Sequence, residues 1–269
     1  MKRTLGLSIV ALAVLGLAVL FADDLGRRAQ VMDLGSRLAP PSLTAWLGTD
    51  QLGRDVLART LAGAPWSLGV AGCATTVSLL LGVLLGLAAA ELRGPVRTTI
   101  LQVVNLTLSF PGLVAALAAV SILGQSAGAV IIVLSALSWP LFTRVVYAQS
   151  LSIRTRDYVT AARLAGVGRA TVLWRHVAPS LRSSLLAMTA FHFADMLVAA
   201  SALTFLGVGA PLGSAAWGVM LSESRAYLYD APWMLAAPAV ALAGTVLGLN
   251  LLGDAVAGAL GAKGRRAAR

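Results

Sequence analysis

Trp66 to Ala90 reads WSLGVAGCATTVSLLLGVLLGLAAA, a stretch without one charged side chain. About 20 such residues wound as a helix cross a hydrocarbon core of roughly 30 Å. No water reaches the backbone inside that core, so a crossing segment must satisfy its own N–H and C=O groups. A barrel strand would alternate apolar with polar residues, and this stretch does not. It therefore predicts a membrane-spanning helix and makes the fold class an all-α integral membrane protein.

Working outward, five further segments share the pattern: Thr4–Ala22, Thr98–Leu123, Gly128–Ala148, Ser184–Leu206 and Trp233–Leu252. Six transmembrane helices are expected. The chain is 58% hydrophobic and 12% charged, against roughly 45–50% and about 25% in soluble domains. The first segment follows Met1-Lys2-Arg3, as a signal peptide would. Its apolar run exceeds the usual length of about 7–15 residues, and Phe21-Ala22-Asp23 is a poor cleavage site, so a retained helix is expected. Pro111 and Pro140 fall inside spans, where proline more often kinks a membrane helix than breaks it.

Charge orients the stack. With the N-terminus inside, 15 of the 21 Lys and Arg residues lie in cytoplasmic segments or, for Arg144, at the cytoplasmic end of a span. The other 6 (Arg27, Arg28, Arg37, Arg54, Arg59 and Arg225) are accompanied outside by seven acids between Asp23 and Asp230. This positive-inside bias puts both termini in the cytoplasm. Three parts follow: an N-terminal transmembrane helix (1–22), a periplasmic segment (23–65), and a five-helix core (66–269) with a cytoplasmic loop at 151–182. The net charge of +10 sits in short loops and tails facing anionic lipid. No aromatic-interleaved basic domain exists to hold a strand, so nucleic acid is not an expected partner. The single cysteine, Cys73, cannot form an internal disulfide and is expected to be a small packing residue. With two histidines in the chain, no His-rich metal site is expected.

Within this apolar chain, Asp157 to Ser180 is polar and Arg-rich: DYVTAARLAGVGRATVLWRHVAPS. Tyr158, Ala161, Ala162 and Ala165 recur at spacings of three and four, a small-residue face on a short helix. Gly166 and Gly168 offer a break before a second helix, Ala170 to Val177. Trp174 and Val177 give that helix an apolar edge, and Pro179 is expected to close it. Two other stretches stand out. WLGTDQLGRDVLARTLAGAPWSL, Trp46 to Leu68, predicts an amphipathic interfacial helix, with Asp50 or Thr49 as its cap and a tight turn at Gly53. Asp55 and Arg59 stand at i,i+4 there and are expected to pair. SALTFLGVGAPLGSAAWGVMLSESRAYLYDAPW, Ser201 to Trp233, predicts a glycine turn (Gly207, Gly209, Gly213, Pro211) and a short helix from Trp217 to Tyr229 at headgroup depth.

Together with NLLGDAVAGAL, Asn250 to Leu260, these stretches resemble the permease subunits of peptide- and nickel-type ABC importers. Members of that family carry segments like GTDxLGRDxxxRxxxGAxxSL, an EAA loop, LSFLGLGxxxxxxxWGxML and NLLGDxLRDxLDP in this order. The resemblance implies a type I ABC importer permease of the bacterial inner membrane, with a cytoplasmic coupling helix pair that docks on a separate ATPase. It implies as partners a second permease, two ABC ATPases that bind ATP and Mg, a periplasmic or lipoprotein substrate-binding protein, and membrane lipids. The chain itself is then no enzyme and needs no cofactor. The coupling residues implied are Asp157, Tyr158, Thr160, Ala161, Ala162, Gly166, Trp174 and Pro179. Thr160 stands where the family's namesake motif has Glu, and Asp157, three residues earlier, is the expected substitute. Lys263-Gly264-Arg265-Arg266 replaces the family's acidic tail.

Ionisable groups inside a membrane usually face a bundle interior or a water-filled path. His192 and Asp195 lie three apart in the fifth span, with Met196 next. They are expected either to line the translocation path or to hold two permeases together. His192 and Met196 lean slightly towards nickel or metal-chelate uptake, with short peptides as the equal alternative. Gln102 and Asn105 are expected to pack or to bond between helices. A secondary transporter or exporter component is the alternative function, although no internal repeat is found. No GxSxG, HExxH or GxxxxGK[ST] motif supports a membrane enzyme.

The charge split generates a labelling test. In a Cys73→Ser background, Ser36→Cys should react with an impermeant thiol reagent from the periplasm, whereas Gly264→Cys should not. The reverse pattern would invert the topology.

Overall fold

The computed structural model describes residues 26, 27 and 29–267. The elements are α1 (Val56–Ala62), α2 (Ala64–Glu91), α3 (Pro95–Ser109), α4 (Gly112–Leu123), α5 (Ala127–Arg154), α6 (Asp157–Leu164), α7 (Arg169–Val172), α8 (Ala178–Phe205), α9 (Trp217–Ser224) and α10 (Trp233–Ala267). Among the described residues no strand forms; Thr49 and Asp55 make one isolated bridge. Among the described residues four helices are long and apolar enough to span a membrane, and α3 with α4 makes a fifth crossing if counted together. The expected span Thr4–Ala22 lies outside the described residues.

The expected single helix over Thr98–Leu123 is broken. Its halves α3 and α4 meet at 93°. Phe110, forced out of helical geometry by the ring of Pro111, adopts φ −91° and ψ 145°. Pro111 therefore breaks this span, while Pro140 sits inside an unbroken α5.

The bundle is built on α2 and α5, which run parallel in close register. Lipid is as apolar as leucine, so helices in it associate by close packing, and small residues permit that. Gly82 and Gly86 supply the close approach. A Cβ at Gly82 would lie 2.3 Å from Phe142 Cβ, and one at Gly86 would lie 2.7 Å from Val146 Cβ. The hydroxyls of Ser135 and Thr143 then reach the carbonyls of Ala74 and Gly82 at 3.3 Å. Leu197, Ala200 and Leu203 of α8 and Met234 and Ala237 of α10 complete the core. Cys73 is exposed on the outer face of α2 and is not the packing residue expected.

Residues 29–55 and 206–232 close one end of the bundle, here termed the head; α6 and α7 close the other, the foot. Gly53 makes the expected tight turn at φ +72°, Gly207, Gly209 and Gly213 turn with positive φ as expected, and the expected short helix begins at Trp217, but the cap and the ion pairing change. Asp55 caps α1, accepting from Ala58 N at 3.0 Å. Asp50 is 1% exposed and accepts instead from Leu52 N and Arg54 N, from Arg54 Nε at 2.7 Å and from Arg59 Nη1 at 2.6 Å. Arg59 so pairs with Asp50 and, at 3.1 Å, with Glu223 of α9, leaving Asp55 to the backbone. Glu223 also accepts from Gln51 and from Gly213 N. Trp217 is fully buried and donates from its indole to Thr60 O at 2.8 Å.

Two arginines and two carboxylates thus form a neutral, largely dry quartet. Removing one partner strands buried charge, which typically costs about 3–5 kcal/mol. Losing a helix cap typically costs about 0.5–2 kcal/mol. Asp50→Asn should therefore lower the thermal midpoint in detergent well below that of Asp55→Asn. Equal loss in both variants would show that Asp50 is not the hub of the quartet.

Candidate functional site

The polar loop folds as the residue pattern requires. Helix α6 ends with two reciprocal bonds: Gly166 N donates to Arg163 O at 3.0 Å and Val167 N to Ala162 O at 3.1 Å. This termination needs a left-handed residue, and Gly166 supplies it at φ +81° with nothing within 4 Å of its absent Cβ. The expected break is therefore made at Gly166, while Gly168 keeps an ordinary φ.

One face of the loop is anchored. Val159 is fully buried and joins Val172, Val177 and Leu181 against Leu87 of α2 and Val146 and Ile153 of α5. The opposite face is bare. Asp157, Tyr158, Thr160, Ala161, Gly166 and Trp174 are exposed, and Ala162 is half-buried. Tyr158 reaches across the loop to Ser180, Oη to Oγ 3.2 Å. Six of the eight expected loop residues are thus exposed and a seventh, Ala162, is half-buried.

The eighth, Pro179, has a different place. It does not close the second helix. From Arg169 the chain runs through α7, a π turn at Leu173–Val177, and α8 without interruption. Pro179 stands in the first turn of α8, where its missing N–H is absorbed by the wide turn: Ala178 N bonds to Leu173 O, five residues back. The separate helix expected over Ala170–Val177 is thereby the start of the fifth span.

His192, Asp195 and Met196 do not form one surface. His192 is 4% exposed, with its ring edge-on to Phe142 at 4.8 Å between centroids and 78° between planes. Met196 faces the same way and its sulfur accepts from Ser138 Oγ at 3.4 Å. Asp195 points outward and is exposed, as are Gln102 and Asn105 on α3. Among the described residues no group of three or more His, Cys, Asp or Glu side chains could hold a metal.

Residues 82–266 match the model of the binding-protein-dependent transport system inner membrane component family. The chain belongs to that family. It is 33% identical over 251 residues to the nickel transport system permease protein of Escherichia coli, covering 93% of this chain and 91% of the relative. It is 34% identical to the dipeptide transport system permease protein of Alkalihalophilus pseudofirmus, covering 85% of this chain and 75% of the relative. The glutathione transport system permease protein of Pectobacterium atrosepticum is also 34% identical, with 83% of this chain and 74% of the relative covered. A crystal structure of an amino acid ABC transporter with histidines superposes with a TM-score of 0.56 over 75% of this chain and 92% of that one; at 17% identity the likeness speaks for the fold.

As a member of this family the chain is a multi-pass permease subunit of an inner-membrane ABC importer. The matched residues include the polar loop and all of α8, whereas the head segment 29–55 lies before them. The sequence pointed to the exposed loop residues and missed Val159, the anchor. Its signal was slight: one β-branched apolar residue among polar neighbours.

Val159→Ala removes two buried methyl groups and leaves a cavity, a change worth about 2 kcal/mol. Amide hydrogen exchange across 157–168 should accelerate in Val159→Ala, with the spans unchanged. Unaltered exchange would mean that the loop is held by something other than this side chain.

Proposed function

We propose that the bare face of the loop is the docking surface for a separate ATPase, which drives solute movement through a path this chain forms with a second membrane subunit. The observation that carries this is the division of the loop into an anchored face and a bare one. A segment held by Val159, Val172 and Val177 while exposing Tyr158, Ala161 and Trp174 is suited to receive a rigid partner and pass its displacement to α2, α5 and α8. Small side chains at 161 and 162 allow a groove to approach closely. The foot then faces the cytoplasm, in agreement with the basic residues around it. ATP and Mg belong to the partner.

The second membrane subunit is favoured by polar groups on outer faces. Gln102, Asn105 and Asp195 are exposed on helices otherwise covered by large apolar side chains such as Leu106 and Val198. Lipid cannot satisfy them, and a partner helix or an aqueous path can. Asp195, the exposed member of the α8 trio, is the one suited to meet solute or partner. The relatives named for nickel, dipeptide and glutathione transport support nickel or a metal chelate, or a short peptide, as the solute, delivered by a binding protein.

Gly166 offers the test. A left-handed β-branched residue is disfavoured by about 1–2 kcal/mol, so Gly166→Val should misdirect the second half of the loop without filling any packed space. Co-purification of the ATPase should fall about five- to thirty-fold while the permease remains in the membrane. Wild-type recovery of the ATPase with Gly166→Val would refute docking through this loop.

A further inference from the structure

Between the foot ends of α2 and α5 and the turn after α6 lies a cleft of about 460 Å³, lined by Glu91, Arg93, Arg154, Arg163, Gly166 and Arg169 among others. Four guanidiniums face one carboxylate. That carboxylate is already engaged, because Glu91 pairs with Arg154. Arg154 also donates to Ala90 O, and its Nε is shut away from solvent with no partner. Among the described residues Arg93, Arg163 and Arg169 make no ion pair. The cleft thus carries three uncompensated positive charges, and its glycine walls leave room for a ligand.

Depth in the bilayer identifies the class of anion. Helices α2 and α5 each have 28 residues, about 42 Å at 1.5 Å per residue. A bilayer with its headgroups is roughly 40–45 Å thick. Glu91 and Arg154 are the last residues of these helices, so the cleft opens at headgroup level. Guanidinium forks match the oxygens of a phosphate in pairs, which an ammonium cannot do. Basic pockets between helix ends at this depth suit phosphate-bearing lipid heads.

We propose that the cleft binds the phosphate of an anionic phospholipid, and that the bound lipid ties the 163–169 turn to the ends of α2 and α5. Coupling between loop and spans then depends on lipid composition as well as on protein contacts.

The test uses the full chain in nanodiscs of phosphatidylcholine with or without phosphatidylglycerol. Native mass spectrometry should show phosphatidylglycerol retained over phosphatidylcholine, with slower amide exchange across 157–168 when it is present. A charge near the headgroups contributes about five-fold in affinity, so Arg93→Gln with Arg169→Gln should weaken retention by roughly 25-fold. Arg93→Gln alone, in the exposed α2–α3 turn, should weaken it about five-fold even if the double variant folds poorly. Unchanged retention in Arg93→Gln would overturn the proposal. Displacement of the lipid by millimolar inorganic phosphate would assign the cleft to soluble phosphate instead. Loss of ATPase recovery with lipid retention intact would assign it to a protein contact.

Discussion

The close approach of α2 and α5 is the contact on which the other parts are laid out. Water drives no association between helices inside lipid, and what remains is the fit of one backbone against another. Gly82 and Gly86 bring the two helices near enough for serine and threonine hydroxyls to reach across to carbonyl oxygens. That lock sets the ends level. At the foot it places Leu87 beside Val146 and Ile153, the apolar floor on which the polar loop is pinned. At the head it fixes the start of α2, where Ser67 accepts from Trp217 N at 3.3 Å.

The two ends are then held by different means. The foot loop is fastened by a few valines, a weak and local attachment. The head is fastened by charge, with Arg54 and Arg59 shared between Asp50 and Glu223 and bonded to the carbonyls of Gly213 and Ser214. Burying such charges is costly, and the cost is offset only where nearly every donor finds an acceptor. Here the acceptors come from the loop before α1, the turn before α9 and α9 itself, and Arg54 Nη2 has the ion pair with Glu223 at 3.7 Å in place of a hydrogen bond. Glycines complete the closure: a Cβ at Gly63 would meet Ala215 O at 1.9 Å, and one at Gly218 would meet Ser201 O at 2.2 Å.

Local signals were legible in the sequence, and distant pairings were not. Length and hydrophobicity identify the spans because the bilayer imposes one rule on every helix in it. The left-handed turn at Gly166 was readable because glycine chemistry is local. Asp50 and Glu223 are 173 positions apart, and nothing in either neighbourhood names the other. Asp55 was matched to Arg59 by spacing alone, yet backbone capping claimed it first. His192 and Asp195 share a nominal face at three residues' separation. The 60° between them is enough to put one against Phe142 and the other outside. Pro111 and Pro140 look alike in sequence, and only tertiary packing decides which of them breaks its helix.

The charge-balanced quartet at the head also bears on the salinity of the medium at that end. Mobile ions screen exposed charges beyond about 8–10 Å at ordinary ionic strength, and they act far less on pairs sealed from solvent. The segments gathered by Asp50, Arg54, Arg59 and Glu223 should keep their arrangement from dilute to briny surroundings. The guanidiniums lining the opposite end stand partly in solvent and have no such shelter. One chain thus presents a salt-indifferent surface to one compartment and a salt-sensitive surface to the other.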